Sequence, residues 1–196
     1  MQLETFEEAD GRRVRLNKHE REQLLDMYSK DPRRRIGLAL MARCGCRCQE
    51  AVDVRPIDVF RDDETGRRFL RIPEGKGKKE REVPIPEGLA SRIETFSANR
   101  CDPTDSVIDV TTRTLRRWTV RAADQLRAET GDDRWRHVRP HDLRRTWGHL
   151  TLEAEVLPSV VMQWGGWEDY DTFQKHYLGK HSLRVQDREA EKVDWL

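Results

Sequence analysis

The period of the hydrophobic pattern changes twice along this chain, and that restricts it to a helical fold carrying one small sheet. After a short strand-like entry, residues 13–30 read as a helix, with Asn17 as its N-cap and Leu24, Leu25 and Tyr28 on its apolar face. Asp31-Pro32 breaks it. A second helix, about 33–43, carries Ile36, Leu38, Leu40 and Met41. Gly45 interrupts, and a third helix carries Glu50, Ala51 and Val52 toward Val54. The pattern then switches. Ile57-Asp58-Val59-Phe60 reads as a strand, Asp62 to Gly66 as a turn, and Phe69, Leu70 and Ile72 as a second strand. Gly75-Lys76-Gly77 is a tight hairpin turn, and Val83-Pro84-Ile85 a third strand, placed at an edge by its proline.

From Pro86 the helical period returns. One helix covers roughly 87–97, and another about 113–129, capped by Thr112, with Leu115, Trp118, Ala122 and Leu126 inward. A helix opened by Pro140 runs to about Glu153. The next starts at Leu157-Pro158-Ser159 and stops at Gly165-Gly166. Asp171-Thr172 caps a helix containing Phe173 and Tyr177, and 182–195 reads as a last, highly charged helix. The expected fold class is mainly α with a small three-stranded antiparallel β-sheet (α+β). A chain of 196 residues without repeats or a clear linker is expected to form a single domain, with a core at about 13–180 and a helical tail at 181–196.

Charge distribution says more than net charge, which is only +1. Basic residues cluster at 32–35, 76–81, 113–121 and 134–145, and acidic ones at 4–10, 62–64 and 186–194. Such patches fit a DNA groove backed by an acidic outer face. No apolar run approaches the roughly 20 residues that span a bilayer, and the acidic N-terminus has no apolar signal region. The expectation is a cytoplasmic, DNA-associated protein without membrane contact. Cys44, Cys46 and Cys48 alternate too closely for a zinc site, and Cys101 stands alone. They read as buried small residues in a reducing compartment, and neither metal nor cofactor is expected.

Several residues carry chemistry. His141-Asp142-Leu143-Arg144-Arg145-Thr146 puts an imidazole and a guanidinium three residues apart, on one helix face. That pair suits a phosphate, since the guanidinium grips two oxygens and the imidazole handles a proton. Arg134 to Arg139 forms a cationic approach to it. Arg47, beside the flexible Gly45, has Glu50 three residues on, able to hold its guanidinium. Lys76 stands at a hairpin tip, from where an ammonium can swing into a groove and protonate a leaving oxygen. A Walker phosphate loop is not supported. Tyr177, after the Trp164-Gly165-Gly166-Trp167 turn, has the place of a nucleophile; Tyr170 is the alternative, but lies close to the Gly-Gly turn.

Taken in order, Gly45-Cys46-Arg47-Cys48-Gln49-Glu50, Gly75-Lys76-Gly77-Lys78-Lys79, His141-Asp142-Leu143-Arg144-Arg145-Thr146, Gly166-Trp167 and Tyr177 resemble the catalytic domain of the tyrosine recombinases, or phage integrase family. The resemblance covers roughly residues 13–180. It implies a metal-free phosphoryl transfer in which Tyr177 attacks a DNA phosphate and forms a 3′-phosphotyrosyl link. Arg47 and Arg144 would hold the non-bridging oxygens, Lys76 would protonate the departing 5′ oxygen, His141 would assist proton transfer, and Trp167, where many members have His, would position the phosphate. Glu50 would support Arg47, while Lys78, Lys79, Arg113, Arg116, Arg139 and Arg145 would bind DNA. The implied partners are double-stranded DNA and further copies of the chain, as dimer or tetramer on DNA. A type IB topoisomerase-like relaxing enzyme and an inactive DNA-binding accessory protein are the alternatives. The family's N-terminal core-binding domain is missing from the pattern: either the sequence is a piece of a longer protein, or the catalytic domain works alone, and the second case predicts weak DNA affinity because fewer phosphates are contacted.

Overall fold

A computed structural model describes residues 1–5, 12–73, 80–98, 100, 102–174, 177, 187 and 189–195. The hairpin lysines Lys76, Lys78 and Lys79, as well as Cys101 and much of the expected tail helix, lie outside the described residues. The chain divides into two compact units, Met1–Gly166 and Trp167–Leu196.

The first unit is built around a helix whose middle turns, from Ile36 to Ala42, are buried on all sides. This helix, α2 (Pro32–Cys44), follows α1 (Lys18–Asp26) and buries Ile36, Leu38, Ala39, Leu40, Met41, Ala42 and Cys44. An all-round apolar helix is stable only when other elements cover every face. Here α1, α3 (Cys48–Asp53), α4 (Glu87–Ser97), α5 (Thr112–Thr130) and α6 (Pro140–Glu153) do so. Its ends follow local chemistry. The Asp31 carboxylate caps the Arg34 N–H, Pro32 occupies the first turn, and Gly45 closes the helix at φ +65°. In α5, Leu115, Trp118, Ala122 and Leu126 are buried as expected, and its cap is Thr111, one residue before the expected one.

Three strands, β3 (Val59–Arg61), β4 (Arg68–Ile72) and β5 (Arg81–Pro84), form an antiparallel sheet in that order. Leu70, Ile72 and Val83 face the core, and Pro84 does lie on an edge strand. The fold is mainly α with a small three-stranded antiparallel sheet, in agreement with the sequence. Two segments differ in detail. Ile57 belongs to a 3₁₀ turn, Pro56–Asp58, rather than to β3, because the buried Asp58 carboxylate ties the turn to Arg55. The expected helix at 13–30 begins only at Lys18. Residues Arg12–Arg15 form a strand, β2, paired with β1 (Gln2–Thr5). Val14 and Leu16 are buried while their neighbours are not, a period of two that overrides helix propensity. Asn17 caps α1 through a capping box with Glu20.

α7 (Pro158–Gly165) closes on Gly166, at φ +63°. In the second unit a short helix, α8 (Tyr170–Phe173), is capped by Asp169 rather than by Asp171-Thr172. Among the described residues no helix is long and apolar enough to cross a membrane.

Candidate active-site cleft

The helix α6 explains why His141 to Thr146 is so dense in function: neighbouring residues point to different jobs. Leu143 enters the core. Asp142 accepts from the Val14 N–H at 3.2 Å and the Arg139 N–H at 2.9 Å, and Thr146 Oγ1 accepts from the Leu16 N–H at 3.0 Å. Those bonds seat β2 on α6. Arg145 donates to Asp142 at 2.6 Å and is 12% exposed on its side chain, so its charge is spent inside the fold. His141 and Arg144 remain to line a cleft.

That cleft, of about 500 Å³, is lined by Arg47, His141, Arg144, Arg116 and Arg139, with Cys46, Cys48, Gln49 and Pro140 between them. Arg144 is 1% exposed, a cost that needs compensation. It donates from Nη1 to the Gly45 carbonyl and from Nη2 to the Gly165 carbonyl at 2.5 Å. Both acceptors are terminal carbonyls near helix ends, which have no helical partner of their own. The guanidinium is thereby aimed by the backbone.

Arg47 is held differently. Its backbone N–H donates to Glu50 Oε2 at 2.6 Å, its Nη1 to Glu50 Oε1 at 2.8 Å, and its Nη2 to the Gly166 carbonyl at 3.1 Å. Glu50 also takes Arg81 in a fork, at 3.0 and 2.7 Å. Burial works against the Glu50 charge, but the bonds and charge of Arg81, followed by those of Arg47, prevail and hold its pKa down to about 2. The sequence-expected Arg47–Glu50 pair is present. Arg81 was not singled out from the sequence. Its signal is the strand period: Arg81 and Val83 share one face of β5, and Val83 is buried, so an arginine there needs a carboxylate.

His141 is exposed at the cleft rim, yet protein atoms displace much of its water. That loss of hydration, followed by the charges of Arg145, Arg144, Arg47 and Arg13, pushes its pKa down to about 4. At neutral pH the imidazole is uncharged and can accept a proton. Cys46 is buried, and burial followed by the charge of Glu50 pushes its thiol up to about 12, so it is a neutral wall of the cleft. Cys44 is likewise buried and Cys48 half-buried, all three as free thiols.

Arg116 and Arg139 are exposed on the rim, and among the described residues no carboxylate is within ion-pair distance of either. Arg113 is exposed at the start of α5 but does not line the cleft. In the second unit, Trp167, Phe173 and Tyr177 form an aromatic cluster. Phe173 and Tyr177 stack with centroids 4.9 Å apart, and Trp167 meets Tyr177 edge-on at 4.9 Å. Among the described residues no group of three or more His, Cys, Asp or Glu could hold a metal ion.

The sequence profile of the phage integrase family matches residues 14–183. Tyrosine recombinase XerA of Pyrococcus furiosus is 25% identical over 177 residues, 88% of this chain and 60% of that protein. XerA of Thermococcus kodakarensis is 27% identical over 184 residues, 92% of this chain and 64% of its own. The chain thus spans less than two thirds of the length of these relatives. Among solved structures, the catalytic domain of bacteriophage HP1 integrase superposes with a TM-score of 0.64 at 17% identity, covering 93% of this chain and 96% of that domain. XerH recombinase bound to its difH substrate gives 0.70 at 19% identity, over 93% of this chain and 54% of the other.

Proposed function

The chain belongs to the phage integrase family, and we propose that it is a site-specific DNA recombinase or integrase that cuts and rejoins strands through a 3′-phosphotyrosyl intermediate. The observation that carries this reading is the gathering of Arg47, Arg144 and His141 in one cleft rimmed by Arg116 and Arg139. A phosphodiester is a monoanion that gains negative charge as its phosphorus is attacked. Guanidiniums already fixed by Glu50, Gly45 and Gly165 stabilise that added charge without reorganising.

In the proposed reaction the Tyr177 oxygen forms a bond to phosphorus as the bond from phosphorus to the 5′ oxygen breaks. Arg47 and Arg144 bind the non-bridging oxygens. His141, uncharged at neutral pH, accepts the tyrosine proton, and Lys76 gives a proton to the 5′ oxygen. Trp167 positions the phosphate. Attack by a 5′ hydroxyl on the phosphotyrosine reverses these steps, so rejoining conserves the phosphodiester energy and requires neither ATP nor a metal. Double-stranded DNA and further copies of the chain are the proposed partners, with Arg116, Arg139, Arg113, Lys78 and Lys79 as backbone contacts. The whole of residues 1–196 acts as the catalytic domain.

A suicide duplex incubated with the protein in chelator tests this. A covalent adduct on a denaturing gel, lost in Tyr177→Phe, is the expected result. DNA binding without any adduct would instead make the chain an accessory protein, and relaxation without strand exchange a topoisomerase.

A further inference from the structure

Arg81 opens β5 and lies outside the residues that would touch DNA in the reading above. Its side chain is 8% exposed, and it forks onto Glu50 with bonds of 3.0 and 2.7 Å. Its Nε donates to the Trp164 carbonyl at 2.9 Å. Its stem lies against Gly166, where an added Cβ would stand 3.1 Å from Arg81 Cδ. Gly166 is also the residue whose carbonyl receives Arg47 Nη2. Arg81 therefore reaches Arg47 by two routes, a shared carboxylate and a shared glycine.

We propose that Arg81 is a positioning residue for Arg47: by occupying the Glu50 carboxylate it leaves the positive charge of the Arg47 guanidinium uncompensated toward the cleft and aimed at the phosphate. This rests on the recombinase reading. One carboxylate between two guanidiniums leaves one net positive charge. Without Arg81, Glu50 and Arg47 form a neutral pair, and the carboxylate can draw Arg47 into the two-bond fork that such pairs favour. With Arg81 in that fork, Arg47 gives Glu50 a single side-chain bond and sends Nη2 to the Gly166 carbonyl, so that its other N–H groups serve the cleft that it lines.

The test uses the full chain and three readouts: the single-turnover rate of adduct formation on a suicide duplex at saturating protein, the dissociation constant for that duplex by fluorescence anisotropy, and Tm. Arg81→Met slows the adduct about 10- to 100-fold, the scale set by small misplacements of a catalytic group. Arg81→Lys, which keeps a cation beside Glu50, recovers part of the rate. Adding Glu50→Gln to Arg81→Met removes the charge that captures Arg47 and restores roughly tenfold, about one charge-assisted hydrogen bond. A rate for Arg81→Met within about twofold of the parent, or no rescue by Glu50→Gln, overturns the proposal, and so does a rescue of rate matched by an equal recovery of Tm, since relief of a buried unpaired carboxylate would then account for both. Should Arg81→Met fail to fold, Arg81→Lys with and without Glu50→Gln provides the same comparison. If the parent forms no adduct, the recombinase reading fails by itself. The affinities then decide on Arg81: non-additive losses in Arg81→Met and Arg47→Met support the coupling, and additive losses refute it.

Discussion

The Trp147 indole occupies the space that a side chain on Gly45 would need: a Cβ there would lie 2.3 Å from Trp147 Cε3. The same glycine sits at φ +65° and offers its carbonyl to Arg144. Two independent demands therefore meet at one position, a left-handed backbone and a close approach by a ring. Gly45→Ala is expected to cost about 3 kcal/mol from strain and overpacking. At this chain size that is about 6–12 °C in Tm, measurable by calorimetry. A change below about 2 °C would mean that the indole moves aside easily.

The basic residues of the cleft region separate into two classes by their partners. Arg116 and Arg139 stand on the rim, whereas Arg145 is locked to Asp142. If the cleft holds DNA, Arg116→Ala and Arg139→Ala each weaken duplex binding and reduce the slope of log affinity against log salt by about 0.9 for each phosphate that is no longer neutralised. Arg145→Ala leaves that slope unchanged and lowers stability instead, by about 1–3 kcal/mol, because Asp142 loses a buried cation. Anisotropy titrations at several salt concentrations, alongside melting curves, distinguish the two. A reduced salt slope in Arg145→Ala would put that residue at the DNA.

Acid should weaken this fold through His149. It is 8% exposed, on α6, with Nδ1 3.4 Å from Arg15 Nη1. An arginine only donates, so Nδ1 is the acceptor and the ring is neutral. Burial, followed by the charges of Arg15 and Arg145, pushes its pKa down to about 4. The unfolded chain binds a proton below about 6.5, while the folded chain does so only near 4. Stability linked to this group is thus complete above pH 6.5 and is lost as pH falls toward 4, in total about 3 kcal/mol. His149→Gln is expected to flatten the drop in Tm between pH 7 and 4.5. An unchanged drop would assign the acid sensitivity to other groups.

Much of the site was legible because its residues are adjacent in sequence or share a helix face. His141 and Arg144 are one helical turn apart, and Arg47 and Glu50 are closed by a local bond, so spacing alone pairs them. Gly45 and Gly166 mark helix ends, where the left-handed cap favours glycine. What spacing does not carry are contacts made across the fold. Arg81 meets Glu50 only because β5 is brought beside α3, and the alternation that buries it is just two residues long. The strand-like entry was legible but its pairing was not: β1, four residues of mixed polarity, acquires its place only by pairing with β2. Asp142 stands in the sequence as one residue of the His141 to Thr146 segment, and its role shows only with β2 in place.

That role gives a last prediction. Asp142 is 4% exposed and receives the Val14 N–H, the Arg139 N–H and the Arg145 guanidinium. Asp142→Ala leaves the buried Val14 amide without its acceptor and Arg145 without its counter-charge. Losing one partner of a buried charged network typically costs about 3–5 kcal/mol. The damage should be local before it is global, since β2 is held to α6 by this residue and Thr146. Hydrogen exchange is therefore expected to accelerate at Val14 and Leu16 while amides in the centre of α2 keep their protection relative to the new global stability. Asp142→Asn, which keeps an acceptor oxygen but not the charge, should preserve more of the Val14 protection than the alanine variant does. Uniform acceleration across α2 and β2 in both variants would show that the strand unfolds only with the whole unit, and that Asp142 contributes to global stability instead of fastening one strand.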